Sequence, residues 1–248
     1  ILKCNAPYYW KVKIDTTKGA TNWSAPAFWT TGLFNEADWQ GQWIGLDRAA
    51  PGDSETQWSR LAARYLRKEF AVKKSVKRAT VHIAGMGLYE LFINGQRIGN
   101  QVLAPAPTDY RKTILYNTYD VTSLLQTENA IGVTLGNGRF YTMRQNYKPY
   151  KIPTFGYPKL RLNLIVEYAD GSKETITTNT SWKLTTEGPI RSNNEYDGEE
   201  YDARKELGAW TQTGYDDKNW MPAQRVSIPS GTLRAQMMPG MKVTETLK

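Results

Sequence analysis

Apolar and polar residues alternate with a period of two along most of the chain, and no other feature constrains the fold as strongly. The alternation is clear in RATVHIAG (78–85), YELFING (89–95), NAIGVTLG (129–136), KLRLNLIVEYADG (159–171) and KETITT (173–178). These segments are short and rich in β-branched and aromatic residues, which is typical of strands that bury one face. Many short strands at this spacing predict an all-β chain, a sandwich or a jelly roll.

Turn and helix signals agree with this interpretation. Helix signal is confined to residues 120–128 and 216–220, and both segments are too short to be stable without tertiary support. The strand segments are separated by pairs that accept positive φ angles and therefore predict tight hairpins: Asn94-Gly95, Asn137-Gly138 and Asp170-Gly171.

The composition indicates a globular protein and argues against a nucleic-acid partner. With 248 residues, 40% of them hydrophobic, the chain is long enough to bury a substantial core. Its 32 basic and 24 acidic residues give a net charge of +8, which suits an anionic partner. The basic residues are scattered, however, and the densest run, at 64–78, alternates with apolar residues as a strand pair with one solvated face would. We therefore predict neither a nucleic-acid nor a membrane surface.

Cysteine content and hydropathy exclude several classes of protein. Cys4 is the only cysteine, so neither an intrachain disulfide nor a cysteine-based zinc site is possible. The chain has no apolar run of membrane-spanning length and no signal-peptide pattern. It also lacks an initial methionine, and we expect it to be a piece of a longer protein.

Shifts in composition divide the chain into three predicted parts. Residues 1–38 carry two strand-like segments that cannot cover their own apolar faces, as expected for the C-terminal strands of a preceding β-sandwich. Residues 39–228 hold the regular alternation and form the main predicted domain. Residues 229–248 contain several turn formers and are predicted to be a linker toward a missing domain.

Several motifs in a fixed order carry a resemblance to a known family. They are residues 89–125, NAIGVTLGNGRFY (129–141), YADGSKETITTNTSWK (168–183), GPIRSNNEYDGEEYDAR (188–204) and GYDDKNWMPA (214–223). Together they resemble the N-terminal β-sandwich domain of bacterial α-L-rhamnosidases. The segment WSAPAFWTTGLFNEADWQGQWIG (23–45) resembles the junction between that domain and a preceding sandwich. The implied fold is a jelly-roll-like β-sandwich preceded by the end of a fibronectin-type-III-like sandwich.

The resemblance implies that hydrolysis takes place in a downstream α/α-barrel domain, by an inverting mechanism that uses acidic residues. It assigns no catalytic residue to this chain, so we expect a non-catalytic N-terminal fragment. Such a fragment would support the catalytic domain of its parent chain and bind rhamnose-containing glycans. The alternative is a free-standing carbohydrate-binding module without a hydrolase partner. The family's polysaccharide substrates imply a periplasmic or secreted protein.

The resemblance also implies a calcium site. Related domains include carbohydrate-binding modules that hold rhamnose through a bound Ca²⁺, a hard cation that chelates vicinal hydroxyls. The implied ligands are Asn100 and Gln101, with a carbonyl near Pro153 as a third. Asn100 stands where the family is expected to have an acidic residue, and the loss of that charge weakens a calcium site.

The sugar contacts that the resemblance implies form a wider set. The candidate carbohydrate-binding residues are Asn100, Gln101, Asp109, Tyr110, Asn137, Tyr141 and Tyr147. The family patterns LAPGWTDY and LGDGWY correspond to LAPAPTDY and LGNGRF, so Pro107 and Arg139 occupy two aromatic positions. The tyrosines of residues 141–157 either stack on a sugar face or pin a long loop to the sandwich. Asp109 and Tyr110 either line a site or form a turn before a strand.

The segment YDGEEYDAR (196–204) concentrates four carboxylates and one arginine. Glu199 and Asp202 would be the acid pair of a glycoside hydrolase, but residues three apart on a strand point to opposite faces. We favour a polar edge in which Arg204 pairs with Asp202 or Glu200 and the tyrosines face the core. Packing of this segment against the catalytic domain of the parent is a third interpretation.

His82 is the only histidine, and it lies in the predicted strand 78–85. A catalytic or metal-binding role would need partners that the sequence does not indicate. We therefore predict a structural or solvent-facing side chain.

Overall fold

Almost all of the regular secondary structure in the described residues is β-strand. The structure, a computed structural model, describes residues 1–49, 61–141, 154–195, 198–228 and 230–247. Its strands in chain order are β1 (Pro7–Trp10), β2 (Asp15–Thr16), β3 (Gly19–Ala20), β4 (Ala27–Thr30), β5 (Ile44–Gly45), β6 (Arg64–Ala71), β7 (Val76–Met86), β8 (Leu88–Ile93), β9 (Gln96–Arg97), β10 (Thr113–Asp120), β11 (Glu128–Gly136), β12 (Lys159–Tyr168), β13 (Lys173–Thr177), β14 (Lys183–Thr185), β15 (Ile190–Asn194), β16 (Gly198–Tyr201), β17 (Met221–Pro222), β18 (Gln224–Arg225) and β19 (Thr232–Ala235). Short 3₁₀ helices lie at Glu36–Asp38, Thr122–Leu124 and Ala203–Lys205.

Two large sheets form the main sandwich. The seven-stranded sheet has the order β18-β5-β12-β7-β10-β19, with β13 also paired to β12, and the six-stranded sheet has the order β17-β14-β6-β11-β8-β9. Val81 and Leu162 of the first sheet and Leu66 and Val133 of the second belong to one buried cluster. Alternate residues of each strand thus fill the space between the sheets. The predicted all-β, jelly-roll-like sandwich is confirmed.

Two of the three predicted hairpins are confirmed. Asn94-Gly95 joins β8 to β9 with φ angles of 52° and 83°, and Asp170-Gly171 joins β12 to β13. The prediction for Asn137-Gly138 is wrong, because β11 before it and β12 after it belong to different sheets. Asn137 instead points inward, and only Gly138 of this pair has a positive φ angle.

The two predicted helical segments contain little helix. Residues 120–128 include the 3₁₀ helix Thr122–Leu124. Residues 216–220 form a turn, in which the Trp220 N–H donates to the Asp217 carbonyl at 2.9 Å. No described helix is long and apolar enough to cross a membrane.

The N-terminal segment forms two small ribbons outside the sandwich. β1 pairs with β4 and β2 pairs with β3, and several of their large side chains are exposed, among them those of Tyr9 and Phe28. The segment is attached to the seven-stranded sheet through Leu33, whose N–H and carbonyl both bond the Tyr116 hydroxyl at 2.8 and 2.9 Å. Asn5 provides a second attachment, since its carbonyl accepts a hydrogen bond from Arg78.

The C-terminal segment, expected as a linker, contributes a strand to the main sandwich. β19 lies at the edge of the seven-stranded sheet and pairs in parallel with residues 113–116 of β10. Farther along, the Val102 N–H donates to the Met241 carbonyl at 2.9 Å, and Gln101 forms an isolated bridge with Lys242. Residues 230–242 are therefore bound to the sandwich at both the sheet edge and the 101–107 loop.

A buried arginine holds the 208–220 loop against the outer face of the six-stranded sheet. The Arg67 guanidinium on β6 donates to the carbonyls of Trp210 and Gln212 at 2.9 and 3.0 Å. It also forms ion pairs with Glu69 and Asp217. Since its side chain is only 1% exposed, Arg67 needs all of these partners to offset the loss of its hydration.

Candidate functional site

A cleft of about 720 Å³ opens beside the six-stranded sheet. Its lining comes from β8, β11, the 102–107 loop, Met241, Arg139 and the β15–β16 hairpin. Segments far apart in sequence thus meet at one place. A cavity of this volume is typical of sites for small molecules or short oligosaccharides.

The cleft has an apolar part and a polar part. Its exposed apolar side chains are those of Leu103 and Met241, which are 57% and 51% exposed. The polar side chains are those of Arg139, of Glu90 and Thr134 on β8 and β11, and of the hairpin residues Asn193, Asn194, Glu195 and Glu199. The lining can therefore contact a ligand that carries both apolar and hydroxyl groups.

Arg139 and Glu195 form a two-pronged ion pair in the cleft. The Nε and Nη2 atoms of Arg139 both donate to Oε1 of Glu195, at 3.0 and 2.9 Å. Both side chains are partly exposed. This geometry fixes the planes of the guanidinium and the carboxylate, which stay in contact with solvent.

Asn137 locks the hairpin to the loop that follows β11. Its Nδ2 donates to the carbonyls of Leu61 and Asn193 at 2.9 and 2.8 Å. Its backbone N–H donates to Oδ1 of Asn193 at 2.6 Å. Asn137 is buried and does not line the cleft, so its role in the structure is to position Asn193, which does.

The two positions at which the resemblance implies aromatic residues meet in this cleft. Pro107 comes from the loop before β10, and Arg139 from the loop after β11, and both line the cleft. The cleft thus presents a proline ring and a guanidinium at these two positions.

The structure places the predicted residues Asn100 and Gln101 beside the cleft. Asn100 is exposed in the turn after β9, and neither residue lines the cleft. The Gln101 side chain is covered by Gly240, where an added Cβ would lie 2.5 Å from the Gln101 Cδ. The carbonyl of Gln101 accepts a hydrogen bond from Arg97 at 2.6 Å.

Asp109 and Tyr110 form the turn before β10. Asp109 makes a two-pronged pair with Arg111, at 2.9 and 3.1 Å, and hydrogen bonds from Arg111 hold the pKa of its carboxyl below the usual range. Tyr110 is buried against Phe140 and Phe155, and burial raises its pKa to about 12. The Tyr110 ring thus belongs to the core and presents no exposed face to a sugar.

The tyrosines of the long loop divide into two groups. Tyr141 is buried and stacks on Tyr157 with ring centroids 5.7 Å apart, which agrees with a loop pinned to the sandwich. The predicted contact Tyr147 lies outside the described residues, as do Tyr150 of the same loop and the carbonyl near Pro153.

Of the residues implied for calcium, the two that the structure describes, Asn100 and Gln101, fit that ion poorly. Gln101 and Asn100 offer only neutral amide oxygens, whereas Ca²⁺ favours carboxylates. The Gln101 Oε1 is buried without a hydrogen-bond partner, but the Gly240 backbone covers it. Within the described parts of the chain, no group of three or more His, Cys, Asp or Glu side chains is arranged to hold a metal.

Residues 198–204 of the YDGEEYDAR segment form a polar edge, as favoured, and residues 196 and 197 lie outside the described residues. Arg204 pairs with Asp202 at 2.8 and 2.9 Å, and hydrogen bonds from Arg204 lower the pKa of Asp202 to about 2. The expectation that the tyrosines face the core is wrong for Tyr201, which is exposed because β16 pairs only with β15 and lies outside the two main sheets. Glu199 lines the cleft.

His82 is structural. It is buried in β7, where its Nδ1 lies 2.9 Å from the Thr118 hydroxyl and its Nε2 lies 3.2 Å from the Asn5 side-chain oxygen.

Sequence reasoning missed several residues of the cleft, namely Leu103, Asn193, Glu195 and Met241. Asn193 and Glu195 come from the motif GPIRSNNEYDGEEYDAR. The acidic residues considered as a possible site, Glu199 and Asp202, lie nearer its C-terminal end. The one available signal was Arg139, an arginine at an expected aromatic position.

Comparisons with known proteins identify the family. The model of the alpha-L-rhamnosidase N-terminal domain matches residues 74–245, and the model of the Rha78A-like, N-terminal immunoglobulin domain matches residues 1–35. An α-L-rhamnosidase of Formosa agariphila is 37% identical over 261 residues, which cover 97% of this chain and 27% of the relative. The chain spans about a quarter of the length of the curated relatives that it matches.

Solved structures agree. The α-L-rhamnosidase from Dictyoglumus thermophilum matches with a TM-score of 0.84 and 39% identity, covering 98% of this chain and 28% of that one. The α-L-rhamnosidase from Aspergillus terreus matches with a TM-score of 0.82 and 34% identity, covering 93% of this chain and 27% of that one.

Proposed function

Because this chain belongs to the α-L-rhamnosidase N-terminal domain family, we propose that it is a non-catalytic part of an α-L-rhamnosidase that binds rhamnose-containing glycans and supports the catalytic domain. The observation that carries this proposal is the cleft. It lies where the two loops of the family pattern meet, at Pro107 and Arg139, and it combines apolar and hydrogen-bonding groups.

The ion pairs of the chain support a non-catalytic role. An inverting glycosidase needs one protonated carboxylic acid, usually with a raised pKa, and one carboxylate that activates water. Of the three carboxylates that line the cleft, Glu195 is paired with Arg139 and Glu90 with Arg97, whereas the third, Glu199, lies exposed on β16. Asp202, with its pKa lowered by Arg204, is likewise unsuited to be an acid.

The bound C-terminal segment supports the second half of the proposal. The curated relatives named α-L-rhamnosidase are about four times as long as this chain. In such a protein, β19 and its contacts with the 101–107 loop would hold the following polypeptide close to the cleft. The proposal keeps residues 1–38 as part of a preceding sandwich, 39–228 as the main domain and 229–248 as the connection to the catalytic domain.

Export is part of the same proposal. Rhamnose-containing polysaccharides are too large to enter a cell intact, so a protein that binds them would act in the periplasm or outside. Fractionation of the native host with an antibody against the sandwich would test this point, and a cytoplasmic signal alone would contradict it.

Affinity electrophoresis tests the glycan-binding function. We expect chain 1–248 to be retarded in a gel that contains a rhamnose-rich polysaccharide, and to leave an aryl α-L-rhamnoside intact. Leu103→Glu places a charge in the apolar part of the cleft and is expected to abolish the retardation. Leu247→Glu is the matched control, since Leu247 is also exposed but lies outside the cleft. Equal retardation of both variants, or release of the aryl alcohol, would contradict the proposal.

A further inference from the structure

We infer that the cleft holds a 6-deoxyhexose without a metal ion, with the Arg139–Glu195 pair as its polar anchor and Leu103 and Met241 as its apolar contact. This inference rests on the proposed glycan-binding function, because it specifies how that glycan is held.

The starting point is the poor fit of the implied calcium ligands. The neutral Asn100 side chain provides no carboxylate, and the Gln101 Oε1 lies beneath Gly240. A ligand at either residue would also lie outside the cleft, because neither side chain lines it. The groups that can hold a sugar in the cleft must therefore come from its own lining.

The Arg139–Glu195 pair has the chemistry to replace a cation that chelates hydroxyls. A guanidinium offers donors in a rigid plane, and a carboxylate offers acceptors. One sugar hydroxyl can accept a hydrogen bond from Arg139. The same hydroxyl, or the next hydroxyl on the ring, can donate a hydrogen bond to Glu195. Their hydrogen bonds of 2.9 and 3.0 Å hold the two groups side by side in the absence of ligand.

The surroundings of the pair are organised in advance. Glu195 follows the last residue of β15, and that strand is fixed by the bonds between Asn137 and Asn193 at 2.6 and 2.8 Å. Pre-organisation lowers the entropy that binding would otherwise lose. The polar anchor is thus ready to accept a ligand without rearrangement of the hairpin.

The apolar part of the cleft explains the preference for a deoxy sugar. Leu103 and Met241 expose apolar side chains to the same cleft that contains the ion pair. A 6-deoxyhexose such as L-rhamnose carries a methyl group in place of the C6 hydroxymethyl group, together with ring hydroxyls. Burial of that methyl group against the two side chains is favourable, whereas an additional hydroxyl there would lose its hydration.

Calorimetric titration of chain 1–248 with methyl α-L-rhamnoside, in calcium and then in EDTA, tests the inference. We expect the same affinity in both solutions. Arg139→Ala is expected to weaken binding by about 10- to 100-fold, the effect of losing a charged hydrogen-bond partner. Arg139→Lys, which keeps the charge and should preserve the fold, is expected to weaken it less. Arg204→Ala removes a more exposed arginine that also makes a two-pronged pair, outside the cleft, and Asn100→Ala removes the implied calcium ligand; both variants should bind as the parent chain does.

The possible results separate this inference from the proposed function. Binding that requires calcium and is lost in Asn100→Ala would overturn the metal-free site and leave glycan binding intact. The absence of heat in both solutions, from a chain that thermal unfolding shows to be folded, would overturn this inference, whereas the proposed function would be overturned only if the polysaccharide gel also failed to retard the chain. Methyl α-L-mannoside differs from methyl α-L-rhamnoside only in its C6 hydroxyl. Equal affinity for the two sugars would overturn the assignment of the apolar contact to the methyl group.

Discussion

His82 and Asn5 are joined by a hydrogen bond of 3.2 Å that connects the central strand β7 to the N-terminal segment. The Asn5 oxygen accepts only, so Nε2 of His82 carries the proton and Nδ1 accepts from Thr118. Burial, with a smaller contribution from the charge of Arg78, lowers the pKa of His82 to about 4. The folded state therefore requires the neutral imidazole.

Because burial keeps the His82 imidazole neutral in the folded state, we predict that the chain loses stability at acid pH. The unfolded chain binds a proton at His82 near pH 6.5, whereas the folded chain does so only near pH 4. The contribution of His82 is thus complete above pH 6.5 and falls as the pH drops toward 4, by up to roughly 3 kcal/mol. Urea denaturation across this range should show it, and His82→Gln should lack that part of the pH dependence. The same pH dependence in both proteins would contradict the prediction.

The buried position of Arg67 predicts that removal of this side chain lowers the free energy of unfolding far more than removal of an exposed ion-pair partner does. Arg67→Met removes the partner of two carboxylates and two carbonyls, and is expected to lower the free energy of unfolding by about 3 kcal/mol. Lys74→Met, which breaks the exposed pair with Asp170, is expected to cost less than about 1 kcal/mol. Urea denaturation of the two variants measures both values. Equal costs would show that the 208–220 loop does not depend on Arg67.

Because Asn137 holds the hairpin that lines the cleft, we predict that its replacement loosens the cleft without removing a lining residue. Asn137→Ala leaves the buried carbonyls of Leu61 and Asn193 without their donors and is expected to lower stability by roughly 1–3 kcal/mol. Amide exchange at residues 193 and 194 should become faster, because the hairpin is no longer fixed. The exposed Asn22→Ala is the control and should leave this exchange unchanged. Unchanged exchange in Asn137→Ala would contradict the locking role.

The close approach of Gly231 to the Tyr110 backbone predicts that a side chain at residue 231 would loosen the edge strand β19. An added Cβ at this residue would collide with the Tyr110 carbonyl oxygen, so Gly231→Ala is expected to weaken the pairing of β19 with β10. Opening of the strand should become roughly tenfold more frequent, which limited proteolysis at Arg234 measures. Ser227→Ala, at an exposed residue of the preceding segment, should be cleaved as slowly as the parent chain. Equal cleavage of the two variants would contradict the prediction.

The sequence predicts the main sandwich because its long strands carry their own signal. Strands β7, β8 and β12 alternate or run apolar along most of their length, and two of their turns are formed by residues that tolerate positive φ angles. The four-residue strand β19 has no such signal. It is stabilised by its pairing with β10, more than a hundred residues earlier, which no local pattern indicates.

The candidate site is less predictable for the same reason. Arg139 and Glu195 are 56 residues apart, and only the packing of the hairpin beside β11 brings them together. Asn137 and Tyr110 have residue types common in sugar sites, but tertiary contacts turn both side chains inward. Composition and motif identify the segments that surround the cleft, whereas the direction of each side chain depends on contacts that are distant in sequence.

The parallel pairing of β19 with β10 has a mechanical consequence. Tension that acts along the axis of β19 would load the hydrogen bonds of its four paired residues together, in shear. An edge strand at the end of a hairpin, in contrast, can be peeled away one bond at a time. This edge strand would thus resist a pull as an anchor, and would pass the force through β10 to the centre of the sandwich.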